Sequence, residues 1–578
     1  MPKIAIALRV YTNSDDATIV WQTPARIPGC RGFALDRRAR DKKGKITPSV
    51  LPTWVGFAGD PAAQSGQQRP STEWPIQRFL WTDYSARDAA AVQYRVVPML
   101  GKAGHLKRAP DAHCSGWSGW AEVKTGQTPG FSAYFNRGIV ASQWLARLLS
   151  GASGGPVAQL RRDIQDPNAK DRKFLGGRLR DEMLALLAKA RSSGVEIWAA
   201  LYELNDPELI PALAALGKKC HLVLGSGAYK PASKGKPAVP DENAAVRAQL
   251  KAARKIDLRD RLVASPHFAH NKFVVFAGTD GAPKSVWTGS TNWTVTGLCT
   301  QVNNGILIED AGLAAGYKAR WDALAAAGAG YPPSLAQQGS VPSHVSVGPA
   351  GVTAWNVPCS GLVDLADARK LIRGAQQGVL FLFFNPGPSG SLLNDVLALR
   401  SDKLFVHGVV NEDPGGKKPI LTLFDRGTPV HPDPKVVVPS EVKAQMKGWF
   451  RDEFRFNMVM IHSKVVLIDP FGPHPVVMTG SHNLGPKASA ENDDNLVLVE
   501  NAPGLAAEYA VNVLGIYGHY KSRNNAALAA KSQDGLRAGA THATLTMWKG
   551  LRDDETWQDE FLSGDKKKEL DFWFGKPG

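Results

Sequence analysis

The chain opens with short stretches in which apolar and polar residues alternate. Residues 3–10 and Ala17–Gln22 follow a period of two, and 32–40, 92–99 and 117–124 continue it. That period sends successive side chains to opposite faces of a strand. Turn residues and charged stretches separate the runs, which predicts an all-β sandwich over residues 1–128. Trp21 and Tyr94 are its expected core aromatics. The run DRRARDKKGK at 36–45 predicts a solvated hairpin tip, with polyanion binding as the sharper alternative. Beyond residue 130 the period changes. Residues 180–191 place Met183, Leu184, Leu187 and Ala190 on one helical face, and Gly194 is placed to stop the helix. The apolar run at 195–203 then predicts a buried strand. Helices alternating with such strands predict an α/β body.

This body is written twice. VEIWAALYE at 195–203 is echoed by the stretch around VLFLFFN at 379–385, each after a helix and a glycine, Gly194 and Gly378. HNKFVVF at 270–276 is echoed by HSKVVLI at 462–468, and GSTN at 289–292 by GSHN at 480–483. QVNNGILIED at 301–310 and NDDNLVLVEN at 492–501 follow, then GLAAGY at 312–317 and GLAAEY at 504–509. From the histidines onward the register holds at 191–192 residues, which chance similarity would not sustain. The copies are expected at 129–338 and 339–578, joined through the Pro-, Ser- and Gly-rich stretch 331–351. A C-terminal tail carrying Trp548, Trp557, Phe561, Phe572 and Trp573 is expected to pack on the body, with LSGDKKKEL as a solvated turn.

Composition changes this picture little. The hydrophobic fraction of 43% and charged fraction of 21% are ordinary for a globular chain. The net charge of +16 points to anionic partners: nucleic acid, an anionic membrane surface or acidic glycans. Residues 1–130 hold 18 Lys/Arg against 10 Asp/Glu, half of that excess. Five scattered cysteines (Cys30, Cys114, Cys220, Cys299 and Cys359) form no CxxC pair and argue against a zinc site or a disulfide framework. The first residues read as a strand and not as a signal peptide, and no apolar run is long enough to span a membrane. Localisation stays open.

The chemistry lies in the repeated motifs. Alternation sets His462 with Lys464, and His270 with Lys272, on one side of a strand. Two halves packed face to face can bring both pairs into one cleft. Histidine serves as nucleophile, acid or base near neutrality. Paired His-x-Lys motifs, each followed by Gly-Ser-x-Asn inside a duplication, resemble the phospholipase D superfamily over roughly residues 130–520. The resemblance implies two α/β/α sandwich domains packed face to face. It implies a covalent, metal- and cofactor-independent mechanism through a phosphohistidine. Lys272, Lys464, Asn292 and Asn483 would hold the non-bridging oxygens, assisted by Ser290 and Ser481. Asp469 belongs to the second motif and would support the fold, whereas the first motif has Ala277 there. An acidic residue that orients a catalytic histidine is Asp494 in the second copy and Asn303 in the first, which predicts unequal histidines. His270 is favoured as nucleophile and His462 as acid, although the sequence leaves the choice open. His267 reads as a packed or surface histidine.

The stretches ATIVWQTP, GFALDRRA, VQYRVVPML and SGWSGWAEVKT resemble in pattern a fibronectin type III-like domain. The length and single-chain duplication resemble bacterial phospholipases D more than small dimeric nucleases, and a monomer is expected. A phospholipid phosphodiester is the favoured substrate, cleaved by hydrolysis or by transfer to an alcohol. Nuclease activity on DNA or RNA and a catalytically silent binding protein are the alternatives.

Overall fold

The computed structural model describes residues 5–57, 60, 67–138, 155–227, 235, 237, 241–399, 404–412, 436–437, 460–537 and 550–576. The N-terminal region is all-β. Strands Ala7–Thr12, Ala17–Gln22 and Leu80–Asp83 form one antiparallel sheet. A second sheet runs in the order Ala121–Glu122, Ala91–Lys102, Cys30–Arg40, Ile46–Val50, with His105–Arg108 paired to Ala91–Lys102. Trp21 is fully buried and meets Phe33 edge-on at 5.4 Å. Tyr94 is buried and donates its hydroxyl to Asp83 at 2.7 Å. Residues 3 and 4 of the first expected strand, and Trp548 of the tail, lie outside the described residues.

Two expectations here need correction. Of the strand expected over 117–124, only Ala121–Glu122 pairs as one. Upstream, Ser115 and Ser118 turn their hydroxyls to the amides of Val96 and Tyr94, at 2.8 and 3.1 Å, in place of a regular ladder. The hairpin tip is also shorter than 36–45, because the strand continues through Arg40. Arg38 and Arg40 lie over the rings of Trp117 and Trp120, at 4.0 and 4.8 Å, and cation–π contact holds them against the sheet.

The body is two mixed sheets with one topology. The first runs Phe131–Phe135, Asn304–Ile308, Pro283–Gly289, Lys272–Ala277, Ile197–Leu201, Cys220–Leu224, Asp257–Asp260. The second repeats that order as Ala350–Val357, Asp494–Glu500, Val476–Gly480, Val465–Ile468, Gly378–Phe383, Phe405–Val410, Val436–Val437, and adds Ser343–Val347 beside Ala350–Val357. Both faces of the second sheet are covered, so its strands are continuous apolar runs. Val379, Phe381 and Phe383 face helices Val363–Arg373 and Leu392–Ala398. Leu380 and Leu382 share the other core with Leu505, Tyr509 and Val513 of helix Pro503–Arg537. The expected helix face is present within Lys170–Ser193, with Met183, Leu187 and Ala190 buried and Leu184 partly so. Gly194 ends that helix at φ 64°, a left-handed cap that suits glycine.

Gly374 ends the preceding helix and Gly378 opens the strand, while two further readings change. A Cβ at Gly378 would lie 2.2 Å from the Phe405 carbonyl oxygen, so close strand approach explains this glycine. The stretch 331–351 is structured, forming helix Pro333–Gly339, strand Ser343–Val347 and the start of Ala350–Val357. Pro at the helix start is compatible with its missing amide, and SHVSV alternates as a strand does. Lastly, LSGDKKKEL is mostly helix Gly564–Trp573, and it buries Leu570, Phe572 and Trp573.

That helix completes a strap. Trp557 donates its indole N–H to the Cys30 carbonyl at 3.0 Å and meets Phe33 edge-on. Phe561 packs on Phe79, while Phe572 and Trp573 pack on Phe405 and Phe471 of the second half. The tail thus ties the N-terminal β region to the far end of the body. Cys30, Cys220, Cys299 and Cys359 are buried free thiols, and Cys114 is partly buried. Among the described residues no helix is long and apolar enough to cross a membrane.

Candidate active site

The two histidine motifs precede the strands Lys272–Ala277 and Val465–Ile468, at the edge where the halves meet. Each is pinned by the opposite copy. Phe268 bridges to Asn492 and Val302 bridges to Ile461, both in parallel. The His462 amide donates to the Val302 carbonyl at 3.0 Å, and the Asp493 amide donates to that of Phe268 at 2.8 Å. Side chains repeat the exchange. Thr288 donates to Asn495 at 2.7 Å, and Asn304 donates to Thr479 at 2.8 Å. Arg261 forms a fully buried ion pair with Asp493 at 2.8 Å.

This crossing decides the partners of the histidines. His270 Nδ1 lies 2.8 Å from Asp494 Oδ1, and His462 Nδ1 lies 2.9 Å from Asn303 Oδ1. Each imidazole is therefore oriented by the other copy. The Asn303 amide is itself fixed: its Nδ2 donates to Gly297 at 2.9 Å and its Oδ1 accepts from Ser290 at 2.8 Å. Its oxygen must then accept from Nδ1–H of His462. Both rings thus carry hydrogen on Nδ1 and present the Nε2 lone pair. Asn303, the departure in the first copy, acts on the histidine of the second.

The remaining contacts follow a pseudo-twofold pattern. Lys272 and Lys464 each donate to the carbonyl of their own motif histidine at 2.6 Å. Tyr202 packs on His270 at 4.8 Å with Lys272 over its ring, as Phe384 does with His462 at 4.6 Å and Lys464. Lys464 Nζ also lies 3.1 Å from His462 Nε2. Ser481 Oγ accepts from the Asn495 amide at 3.1 Å, and Ser290 Oγ from the Asn304 amide at 3.0 Å, so both serines brace the motif loops. Asn292 is buried and Asn483 half-buried, and each has a side-chain carbonyl without a partner among the described residues. His267 stacks on Tyr331 at 3.7 Å, a packed position.

Electrostatics separates the two histidines. Burial lowers the His270 imidazole to about 4, opposed by Asp494. His462 lies well below the usual range through burial and then the Lys464 charge, with no carboxylate to oppose them. Burial lowers Lys272 to about 8 and carries Lys464 well down as well. Asp494 is held at about 2 despite burial, by His270 and Lys272. Asp494 is thus a carboxylate that His270 and the two lysines share.

Asp469 stands apart from this chemistry. Its carboxylate accepts from the amides of Gln376, Gln377 and Gly378 at 2.8, 2.7 and 2.8 Å, where a helix gives way to a central strand. At the matching place in the first half, the amides of Gly194 and Val195 bond the helix's own carbonyls of Arg191 and Ala190. Two of the three matching amides are thus satisfied without a carboxylate, which fits Ala277 in that place. Asp469→Ala is expected to cost about 3 kcal/mol, as charge-assisted bonds to buried amides do, read as a lower denaturant midpoint.

Sequence reasoning missed Glu203, whose Oε2 accepts from Asn292 Nδ2 at 2.7 Å. Its signal was the apolar strand run ending in an unmatched acid: the second copy has Asn385 there. It also missed the cross-copy Asn304 and Asn495. Both lie inside the repeat NNG and DNL, where they passed for strand residues.

Two matching α/β units that exchange the partners of their motif histidines define a two-lobed fold with one shared His–Lys site. The chain belongs to the phospholipase D-like family: the pattern described as "cardiolipin synthase, PLD-like domain" matches residues 180–324 and again 369–514, just over half of it. Among solved structures, the chain is similar to phosphatidylserine synthase from Haemophilus influenzae (13% identity, 62% of this chain and 91% of that one, TM-score 0.38). It is also similar to Nuc, a phospholipase D family member from Salmonella typhimurium (20%, 26% and 90%, TM-score 0.20). A third is yeast tyrosyl-DNA phosphodiesterase (10%, 55% and 86%, TM-score 0.27). A comparison with curated proteins finds no match.

Proposed function

We propose that the protein is a phosphodiesterase that works through a phosphohistidine on His270. The carrying observation is the unequal pairing of two buried imidazoles, His270 on Asp494 and His462 on Asn303. A neutral His270 offers its Nε2 lone pair to phosphorus. The P–N bond forms as the bond to the leaving oxygen breaks, and the imidazole becomes cationic against Asp494. His462 gives the departing oxygen a proton, which it can hold once the substrate anion is seated among Lys272 and Lys464. It then takes a proton from water, whose oxygen attacks phosphorus and releases His270. An alcohol in place of water would give transfer. Lys272, Lys464, Asn292 and Asn483 stabilise the non-bridging oxygens, which gain charge in the transition state.

The favoured substrate is a phospholipid. The N-terminal β region, proposed as a fibronectin type III-like unit over 1–128, and halves at 129–338 and 339–578 complete this reading. The net charge of +16 keeps a nuclease as second reading, since phosphate contacts dominate nucleic-acid affinity. The test is turnover, in metal-chelated buffer, of a choline phospholipid, supercoiled plasmid, single-stranded RNA and bis(p-nitrophenyl) phosphate. Lipid cleavage is expected. Nicking without lipid turnover would transfer the reading to a nuclease, and no turnover of any substrate would end it.

A further inference from the structure

The duplication repeats the histidines, lysines, serines and asparagines of the site, but it does not repeat Glu203. The strand ends Leu201–Tyr202–Glu203 and Phe383–Phe384–Asn385 correspond, because Tyr202 and Phe384 pack on the histidine and lysine of their own halves in the same way. Only the first half then adds a carboxylate. Glu203 accepts from Asn292 Nδ2 at 2.7 Å, which fixes one amide of the proposed clamp; among the described residues both side-chain carbonyls lack a partner, but no such acceptor meets Asn483 Nδ2.

We infer that Glu203 is a positioning residue of the phosphodiester site, holding the Asn292 amide so that the two asparagines are unequal; this rests on the phosphodiesterase reading. A primary amide has two N–H groups. With one held by Glu203, the other has a fixed direction and pays less entropy to meet a phosphoryl oxygen. The same carboxylate faces Lys272 and Lys464, and its charge opposes an incoming phosphate anion. Glu242 and the Tyr202 hydroxyl also face it. Burial, and then Glu242, raise Glu203 to about 7, so it loses its proton as pH rises through neutrality. A substrate anion favours the protonated form, so Glu203 weakens substrate binding above that pH.

The experiment compares Glu203→Ala and Glu203→Gln with the parent on bis(p-nitrophenyl) phosphate from pH 6 to 9, with thermal midpoints recorded to confirm folding. Glu203→Ala frees the amide, and kcat is expected to fall about tenfold, less than removal of an oxyanion donor itself. Glu203→Gln keeps an acceptor for Asn292 without the charge. Its kcat is expected within about threefold of the parent, with KM about threefold lower above pH 7, the loss of one screened charge. A parent-like kcat in Glu203→Ala, or an equal fall in both variants, would overturn the inference. Calorimetric titration with inorganic phosphate separates the two readings. A parent that binds phosphate but turns over no diester sinks the phosphodiesterase reading. Glu203 is then judged on affinity alone: tighter binding by Glu203→Gln at pH 8 supports its role, and equal affinity in all three proteins overturns it.

Discussion

Replacing His270 by Ala is expected to remove phosphodiester turnover almost completely, by roughly 100,000-fold in kcat, the scale on which enzymes lose a nucleophile. On the proposed mechanism the second imidazole is committed to proton transfer, and it lies against Lys464 at 3.1 Å, so it does not take the place of the first. His462→Ala should behave differently. A general acid contributes about 100- to 10,000-fold, and that contribution shrinks as the leaving group becomes a better anion. Nitrophenolate leaves without a proton, whereas an alkoxide does not. His462→Ala should therefore form the phosphoenzyme from bis(p-nitrophenyl) phosphate and then release it slowly, since the base that activates water is gone. Acid-labile, base-stable phosphate should accumulate on His462→Ala and be absent from His270→Ala. Label trapped on His270→Ala instead would reverse the two roles.

The roles could not be read from the sequence alone, for a physical reason. The change of period near residue 130, the helix face around Met183 and the register of the duplication are local or additive signals, and the fold follows them. The partner of each histidine is not local. His270 and Asp494 are 224 residues apart, and His462 and Asn303 are 159 apart. What joins them is a pair of parallel bridges between copies, at Phe268–Asn492 and Val302–Ile461, and no periodicity encodes these. The first copy is the divergent one in sequence, yet its Asn303 leaves His462 without a carboxylate. Composition misled in the same way at the tail. Three consecutive lysines at 566–568 read as a solvated turn, but they lie on a helix whose opposite side buries Leu570 and Trp573. Glu203 was hidden because repetition was the guide and it is the unrepeated residue.

Asp494→Asn is expected to lower kcat about 1000-fold. This is less than the roughly 10,000-fold that an Asp-to-Asn change costs when it also selects the wrong tautomer. Here the tautomer can survive, because Asn303 shows that an amide oxygen accepts from a motif histidine at 2.9 Å. What is lost is charge. On the proposed mechanism the covalent intermediate places positive charge on His270, and among the described residues only Asp494 hydrogen-bonds that ring. Lys272 and Lys464 lose the same counterion, so both deprotonate more readily and hold phosphate less well. The alkaline limb of kcat/KM should move to lower pH, which a pH profile from 6 to 9 would record. Adding Asn303→Asp should not restore activity. That change supplies a carboxylate to His462, but it also sets an anionic oxygen against the Gly297 carbonyl, where Asn303 Nδ2 now donates at 2.9 Å. On the proposed mechanism each position suits its own residue, Asp494 a cation that forms during the reaction and Asn303 an imidazole that must part with its proton. Full activity in the double variant would show that the halves are interchangeable and would remove the basis for assigning His270 as nucleophile.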